Sequence, residues 1–253
     1  MENKIIFFQE TIHKAWTAED SVLYKGWILR LSEGVTRRAN SILPLRYFGE
    51  NLIEDIKNVE TIYESRNLPI TFQVADYYQP EILVETLLSL GYESIDETIV
   101  MSRNLEDWRS TQKESLTSYI THLDVDNFWY ENLEKLSQHP HDRTIGLKKI
   151  IERSPYGKVI CYAEKEERVV GTVLGIIEDN IIGIYNLIVD KNYRREGIGT
   201  NIMIKTLNWA KNNGIKTAYL AVEKENRSAY NLYVNLGFTC IYSYKYFVKN
   251  NKQ

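Results

Sequence analysis

One run of features occurs twice in this chain, and no other property constrains the fold as tightly. Leu90-Gly91-Tyr92 reappears as Leu236-Gly237-Phe238, an offset of 146 residues. Asn67-Leu68 answers to Gly214-Ile215, and Ile99-Val100-Met101 answers to Tyr246-Phe247-Val248 at an offset of 147. Each copy reads helix, strand, helix, glycine-aromatic, strand. A nearly constant offset held over such a stretch marks two copies of one α/β unit.

Periodicity fills in the units. In the first, residues 14–24 read as a helix running into a strand. Gly26–Leu31 alternates as a strand does, and Arg37–Ile42 reads as its hairpin partner. Apolar residues at Leu52, Ile53, Ile56, Val59, Ile62 and Tyr63 have helical spacing. A short strand over Leu68–Val74 follows. Pro80 opens a helix that Gly91 closes, and Thr98–Met101 is a further strand. The polar stretch from Leu105 to Thr117 reads as a linker. In the second unit, two helices over 126–153 break at His139-Pro140-His141-Asp142. Strands are expected over Lys158–Ala163, Val169–Ile177 and Ile181–Val189, with a turn at Glu178-Asp179-Asn180. Then come a helix over Ile198–Asn212, a strand over Ala218–Val222, a helix over Ser228–Leu236 and a strand over Tyr242–Val248. The expected domains are 1–105, a linker over 106–116, and 117–253.

The chemical signal lies in Arg194-Arg195-Glu196-Gly197-Ile198-Gly199-Thr200, between an apolar strand and a helix. Glycines let the backbone come close to a ligand. The first amides of a helix have no internal partner, and with the helix dipole they form a site for phosphate oxygens. Arg194 and Arg195 add positive charge. Alone, this run is equally an ordinary strand-to-helix turn. It is not a P-loop, since no Gly-Lys-Ser/Thr follows, and it lacks the G-x-G-x-x-G of a dinucleotide fold. Further on, Asn226, Ala229, Leu232, Tyr233, Gly237 and Phe238 fill the pattern N-x-x-A-x-x-L-Y-x-x-x-G-F.

The two motifs together, at this separation, resemble the Gcn5-related N-acetyltransferases (GNAT). The resemblance implies the acyl-CoA N-acyltransferase fold: an α/β architecture with a mixed, twisted sheet flanked by helices and splayed between its fourth and fifth strands. These map to Ile184–Val189 and Ala218–Val222. It implies acetyl-CoA as co-substrate, with the backbone of Leu187, Ile188 and Val189 along the acetyl and pantetheine arm. Amides of Arg195, Glu196, Gly197, Ile198, Gly199 and Thr200 would hold the pyrophosphate, and Asn226 would meet the pantetheine or cap the next helix. Tyr233 would be the general acid at the leaving sulfur. The carboxylate that many members carry on the fourth strand is missing from Ile182–Asn186, which leaves the base open. Glu223 is one candidate, and a water chain held by Asn186 or Tyr185 is another. The implied activity is acetyl transfer to a primary amine, here of a small molecule. A protein acceptor, or a non-catalytic acyl-CoA sensor, are the alternatives.

The first unit resembles the degenerate half of tandem members. Where the cradle would fall it reads Pro44-Leu45-Arg46-Tyr47-Phe48-Gly49-Glu50, with one glycine and a proline, so it is not expected to bind CoA. Its polar cluster Arg30, Arg37, Arg38 and Asn40 can bind a carboxylate or phosphate, or simply form a solvated hairpin face. Tyr242, Tyr244 and Tyr246 alternate as one face of a strand does, suited to lining a cleft or to packing between the halves.

The remaining properties narrow the class. A net charge of −3 with both signs abundant gives no drive toward nucleic acid or membrane. No apolar run reaches the length of a membrane helix or a signal peptide, so a soluble, cytoplasmic monomer or homodimer is expected. Cys161 and Cys240 read as reduced residues in or near the core. His122, His139 and His141 lack the companions of a zinc site, so no metal is expected.

Overall fold

The structure is a computed structural model that describes residues 1–109 and 118–249. The first unit runs α1 (Glu2–Ala15), β1 (Asp20–Tyr24), β2 (Trp27–Leu31), β3 (Ile42–Leu43), α2 (Leu52–Glu64), β4 (Thr71–Ala75), α3 (Leu83–Ser89) and β5 (Tyr92–Asn104). The second runs β6 (Ser118–His122), α4 (Asn127–Ser137), α5 (His141–Arg153), β7 (Gly157–Lys165), β8 (Arg168–Glu178) and β9 (Ile181–Val189). It ends with α6 (Ile198–Asn212), β10 (Thr217–Glu223), α7 (Arg227–Asn235) and β11 (Thr239–Lys249).

All eleven strands form one sheet, ordered β1-β2-β3-β4-β11-β5-β10-β9-β8-β7-β6. The repeat explains the unusual middle of this order. Strand β11 lies antiparallel between β4 and β5, and β5 lies antiparallel between β11 and β10. Tyr246 faces Gln73 across one seam, and Met101 faces Leu220 across another. Each unit's last strand is therefore seated beside the other unit's penultimate strand. The two glycine turns that launch these strands match: Gly91 and Gly237 have φ of +84° and +80°, torsions that favour glycine.

Helices cover both faces. Helix α2 begins where the Asn51 side chain accepts from the Glu54 amide at 3.3 Å, a side-chain cap. It buries Leu52, Ile56, Val59 and Tyr63 against β2 and β4. Helix α6 buries Ile198, Ile202, Met203 and Leu207 beside β7, β8 and β10. Helix α1 does not stay with its own unit. Its stripe Ile5, Phe8, Ile12 and Ala15 joins Trp129 of α4, Ile150 of α5 and Tyr185 of β9 in one buried cluster.

Several expectations need correction. The helix placed at 14–24 is instead α1 at Glu2–Ala15, followed by β1, and β6 had no counterpart in the sequence reading. The antiparallel partner of β2 is β3, so of the run Arg37–Ile42 only Ile42 is strand. The Thr36 hydroxyl accepts from the Ala39 amide and turns Arg37–Ala39 into a 3-10 helix. Asn40 Oδ1 then accepts from the amides of Ser32 and Gly34 and closes the loop, the local competition that short polar side chains offer to strand pairing. The linker is not wholly solvent-facing: Leu105 and Trp108 are buried, and the Trp108 indole donates to Asn208 Oδ1 at 2.8 Å. Residues 110–117 lie outside the described residues. Cys161 is buried as expected, whereas Cys240 is exposed, and both are free thiols.

Candidate active site

Strands β9 and β10 pair in parallel only from Ile181–Ile184 against Thr217–Leu220. Beyond that they part. The cause is visible in β9 itself. Asn186 takes φ +51°, and the β8–β9 register shifts between Thr172 and Leu174, a bulge that bends the strand. The β10-facing edge of Tyr185–Val189 is thereby left without a ladder partner. Leu187, Ile188 and Val189 are all part-exposed along this gap.

The gap leads out to the basic turn. Arg195 has φ +67° and Gly197, the N-cap of α6, has φ +80°. A Cβ at Gly197 would meet no atom within 4 Å. Asn201 is the first residue whose amide bonds back to Gly197 O, at 3.0 Å, so the first-turn amides of Ile198, Gly199 and Thr200 have no acceptor within the helix. No side chain caps this end and no acidic residue sits in its first turn. The Arg194 Nε donates to Val189 O at 3.1 Å, tying the turn to the strand. Glu196 pairs with Lys165 at 2.8 Å. This arrangement fits a pyrophosphate.

The first unit shows the contrast. Its corresponding helix, α2, is capped by Asn51 and carries Glu54 and Asp55 in its first turn. The amide of Tyr47 donates to Gln79 Oε1 at 3.2 Å, and that of Phe48 to Lys25 O at 2.9 Å. These two donors are already satisfied, and the acidic first turn repels an anion.

At its other end the gap opens into a cleft of about 760 Å³. Tyr233, Glu223 and Asn226 from the β10–α7 region line it together with Asn186. Tyr233 is buried, and burial pushes its phenol up to about 12. Glu223 stands exposed at the end of β10. Asn226 caps α7, accepting from the Ala229 amide at 3.2 Å. The Tyr185 hydroxyl is hydrogen-bonded to that of Tyr219 at 2.8 Å. A side chain at Gly183 would strike the Tyr219 ring at 2.5 Å, so only glycine permits this pairing. Asn186 Nδ2 is buried with no partner among the described residues.

The far wall of the cleft comes from the first unit: Trp16, Thr36, Arg37, Arg38, Asp96 and Thr98. Tyr244 and Tyr246, on the strand seated between β4 and β5, also face it, while Tyr242 is buried. Arg37 pairs with Asp96. Trp16 stacks on Tyr185 with ring centroids 4.9 Å apart. This contribution was not legible as a site. The sequence offered only a polar hairpin cluster, whose members the structure sorts apart. Arg30 is fully buried and bonded to Ser41 and Gln73, Asn40 closes a loop, and Arg38 alone turns into the cleft unpaired with a carboxylate. Among the described residues no group of three or more His, Cys, Asp or Glu is placed to hold a metal. No helix among them is long and apolar enough to cross a membrane.

The sequence profile of the family described as "Probable histone acetyltransferase Rv0428c C-terminal" matches residues 7–247. The chain belongs to that GNAT family. A relative described as an uncharacterized N-acetyltransferase, YobR of Bacillus subtilis, is 31% identical over 238 residues, covering 93% of this chain and 94% of its own. The GNAT from Kribbella flavida superposes with a TM-score of 0.74 at 12% identity, over 99% of this chain and 96% of that one. A tandem GNAT protein from the clavulanic acid biosynthesis pathway gives 0.63 at 10% identity, over 77% and 68%. At such identities these two show the fold. This GNAT is thus an acyltransferase. In this GNAT the first unit supplies one wall of the cleft.

Proposed function

We propose that this GNAT transfers the acetyl group of acetyl-CoA to the primary amine of a small molecule, by direct attack in a ternary complex. One observation carries the reading: a cleft walled by the first unit runs along the unpaired edge of β9 as far as Ile188, and the bare first turn of α6 follows just past the end of that strand. The first-turn amides, with Arg195 beside them, hold the pyrophosphate. The β10-facing edge of Leu187–Val189 lies along the pantetheine arm. The bound thioester supplies an electrophilic carbonyl carbon and a thiolate leaving group. Tyr233, held protonated by burial, donates its proton to the departing sulfur. Glu223, on the same cleft, takes a proton from the incoming ammonium. No exposed cysteine lines the cleft to form a covalent acyl-enzyme.

The cleft volume lies within the range of small-molecule pockets, roughly 300–1,000 Å³. The family description names a histone acetyltransferase, but a peptide acceptor needs an open groove, and here Trp16 and Arg38 of the first unit wall one side. The location proposed is the cytoplasm, as monomer or homodimer, with neither nucleic acid nor membrane as partner. Release of CoA thiol, followed over a panel of amines, amino acids and aminoglycosides, tests the reading. Turnover with at least one small acceptor is expected. CoA binding without turnover of any of them would refute it.

A further inference from the structure

Arg38 sits in the cleft in an unfinished state. Its guanidinium lies over the rings of Trp16 and Tyr185, 5.7 and 5.9 Å from their centroids. It hydrogen-bonds with the Tyr244 hydroxyl. The residue keeps a part-exposed edge on the cleft, yet its Nε is buried with no partner among the described residues. No carboxylate among the described residues pairs with it. Its neighbours differ: Arg37 has Asp96, and Arg30 donates to Ser41 and Gln73. Arg30 is itself buried close enough to be felt as a like charge.

Two guanidinium groups thus share this region with no carboxylate to balance Arg38. A charge removed from water needs a partner, or it costs several kcal/mol. The donors left over are the kind that a carboxylate accepts. A guanidinium presents Nε–H and Nη–H as a planar fork that matches two carboxylate oxygens. The cation–π contacts with Trp16 and Tyr185 hold the guanidinium in place. Tyr244 reports the same unbalanced charge. Burial alone would push its phenol up, but the Arg38 charge and hydrogen bond outweigh it and hold it below the usual tyrosine value.

We propose that the acceptor carries a carboxylate, and that Arg38, with Tyr244 beside it, docks that carboxylate so that the acceptor's amine lies toward the gap between β9 and β10. The acceptor class is therefore an amino acid or a compound with an amino-acid-like end. The assignment rests on acetyl transfer in this cleft, as proposed above. It gives the degenerate first unit a task, since Arg38 and Trp16 both belong to it.

The test uses the full chain and matched pairs that differ in the carboxylate: phenylalanine and phenethylamine, tyrosine and tyramine, lysine and cadaverine. In the wild type, kcat/KM is expected to favour the carboxylate member by at least about tenfold. Arg38→Gln should erase that preference while CoA affinity, read by calorimetry, stays unchanged. Arg38→Lys should restore only part of it, because the fork is lost. Equal or better use of the decarboxylated amines by the wild type, or a preference that survives in R38Q, overturns the proposal. Should no amine be acetylated, acetyl transfer itself fails, and calorimetry still decides the subsite. Binding of the amino acids to CoA-loaded wild type but not to R38Q supports it. Absence of binding by all three amino acids overturns it. Tyr244→Phe guards against a misfolded R38Q, since it keeps the ring and should weaken the same preference.

Discussion

Gly197→Ala and Gly214→Ala make a matched pair that isolates the phosphate cradle. Both glycines have left-handed torsions, φ +80° and +81°, and a Cβ at either meets no atom within 4 Å. They stand at opposite ends of α6. The cost of placing an L-residue there is torsional, about 1–2 kcal/mol in each case. For a chain of this size each kcal/mol lowers Tm by roughly 2–4 °C, so both variants should melt about 2–8 °C below the wild type. Their CoA affinities should part. The Gly197 methyl would stand in the open space in front of the first-turn amides, where the pyrophosphate must come close. The Gly214 methyl stands about a helix length away. Calorimetric titration with CoA, which needs no acceptor, should show Kd raised about tenfold or more in G197A, equivalent to at least ~1.4 kcal/mol. G214A should bind as the wild type does. Equal CoA affinity in both variants, with equal losses in Tm, would mean that the bare end of α6 is not the phosphate site.

Tyr233→Phe should lower kcat by ~10²–10⁴-fold, the usual worth of a positioned acid, with the KM for acetyl-CoA little altered. Because its phenol is pushed up to about 12, the loss should be the same from pH 6 to pH 9. His13 is held down to about 4, chiefly by burial and then by the charge of Arg30. Its contribution is whole above 6.5, the unfolded value, and is lost as pH falls toward 4. Urea midpoints should therefore fall across that window by up to about 2–3 kcal/mol in stability, and His13→Gln should flatten the slope. Trp108→Ala removes a buried indole and its bond to Asn208, and should cost ~3–5 kcal/mol in denaturant unfolding.

The sequence reading reached the elements whose signals are local. Helix α6 was placed from Ile198 to Asn212, and the structure has those bounds, because Gly197 and Gly214 punctuate it at both ends. The uncapped glycine turn ahead of α6 was legible for the same reason: helix starts, glycines and arginines announce themselves in order. What stayed hidden depends on contacts between distant segments. Helix α1 has a helical stripe at Ile5, Phe8, Ile12 and Ala15, but the cluster that covers it draws on Trp129, Ile150 and Tyr185, more than 100 residues further on. Trp108 lay in a stretch too polar on average to suggest a core, although one indole there is buried. Arg38 looked like its neighbours Arg30 and Arg37. Only the turn made by Thr36 and Asn40 decides which guanidinium faces the cleft.

The exchanged strands bear on how such a pair of repeats persists. A duplicated unit that no longer binds its ligand is ordinarily free to be lost. Here its removal would strip β11 of both its neighbours, β4 and β5, and β10 of β5, leaving unpaired edges beside the gap proposed to hold the thioester. Such edges invite association with other chains. The first unit is thus tied in by the hydrogen bonds of the shared sheet, and the face it turns to the cleft can change without breaking them. A lineage of these enzymes can alter what it acetylates by varying one repeat while the other keeps the CoA machinery intact.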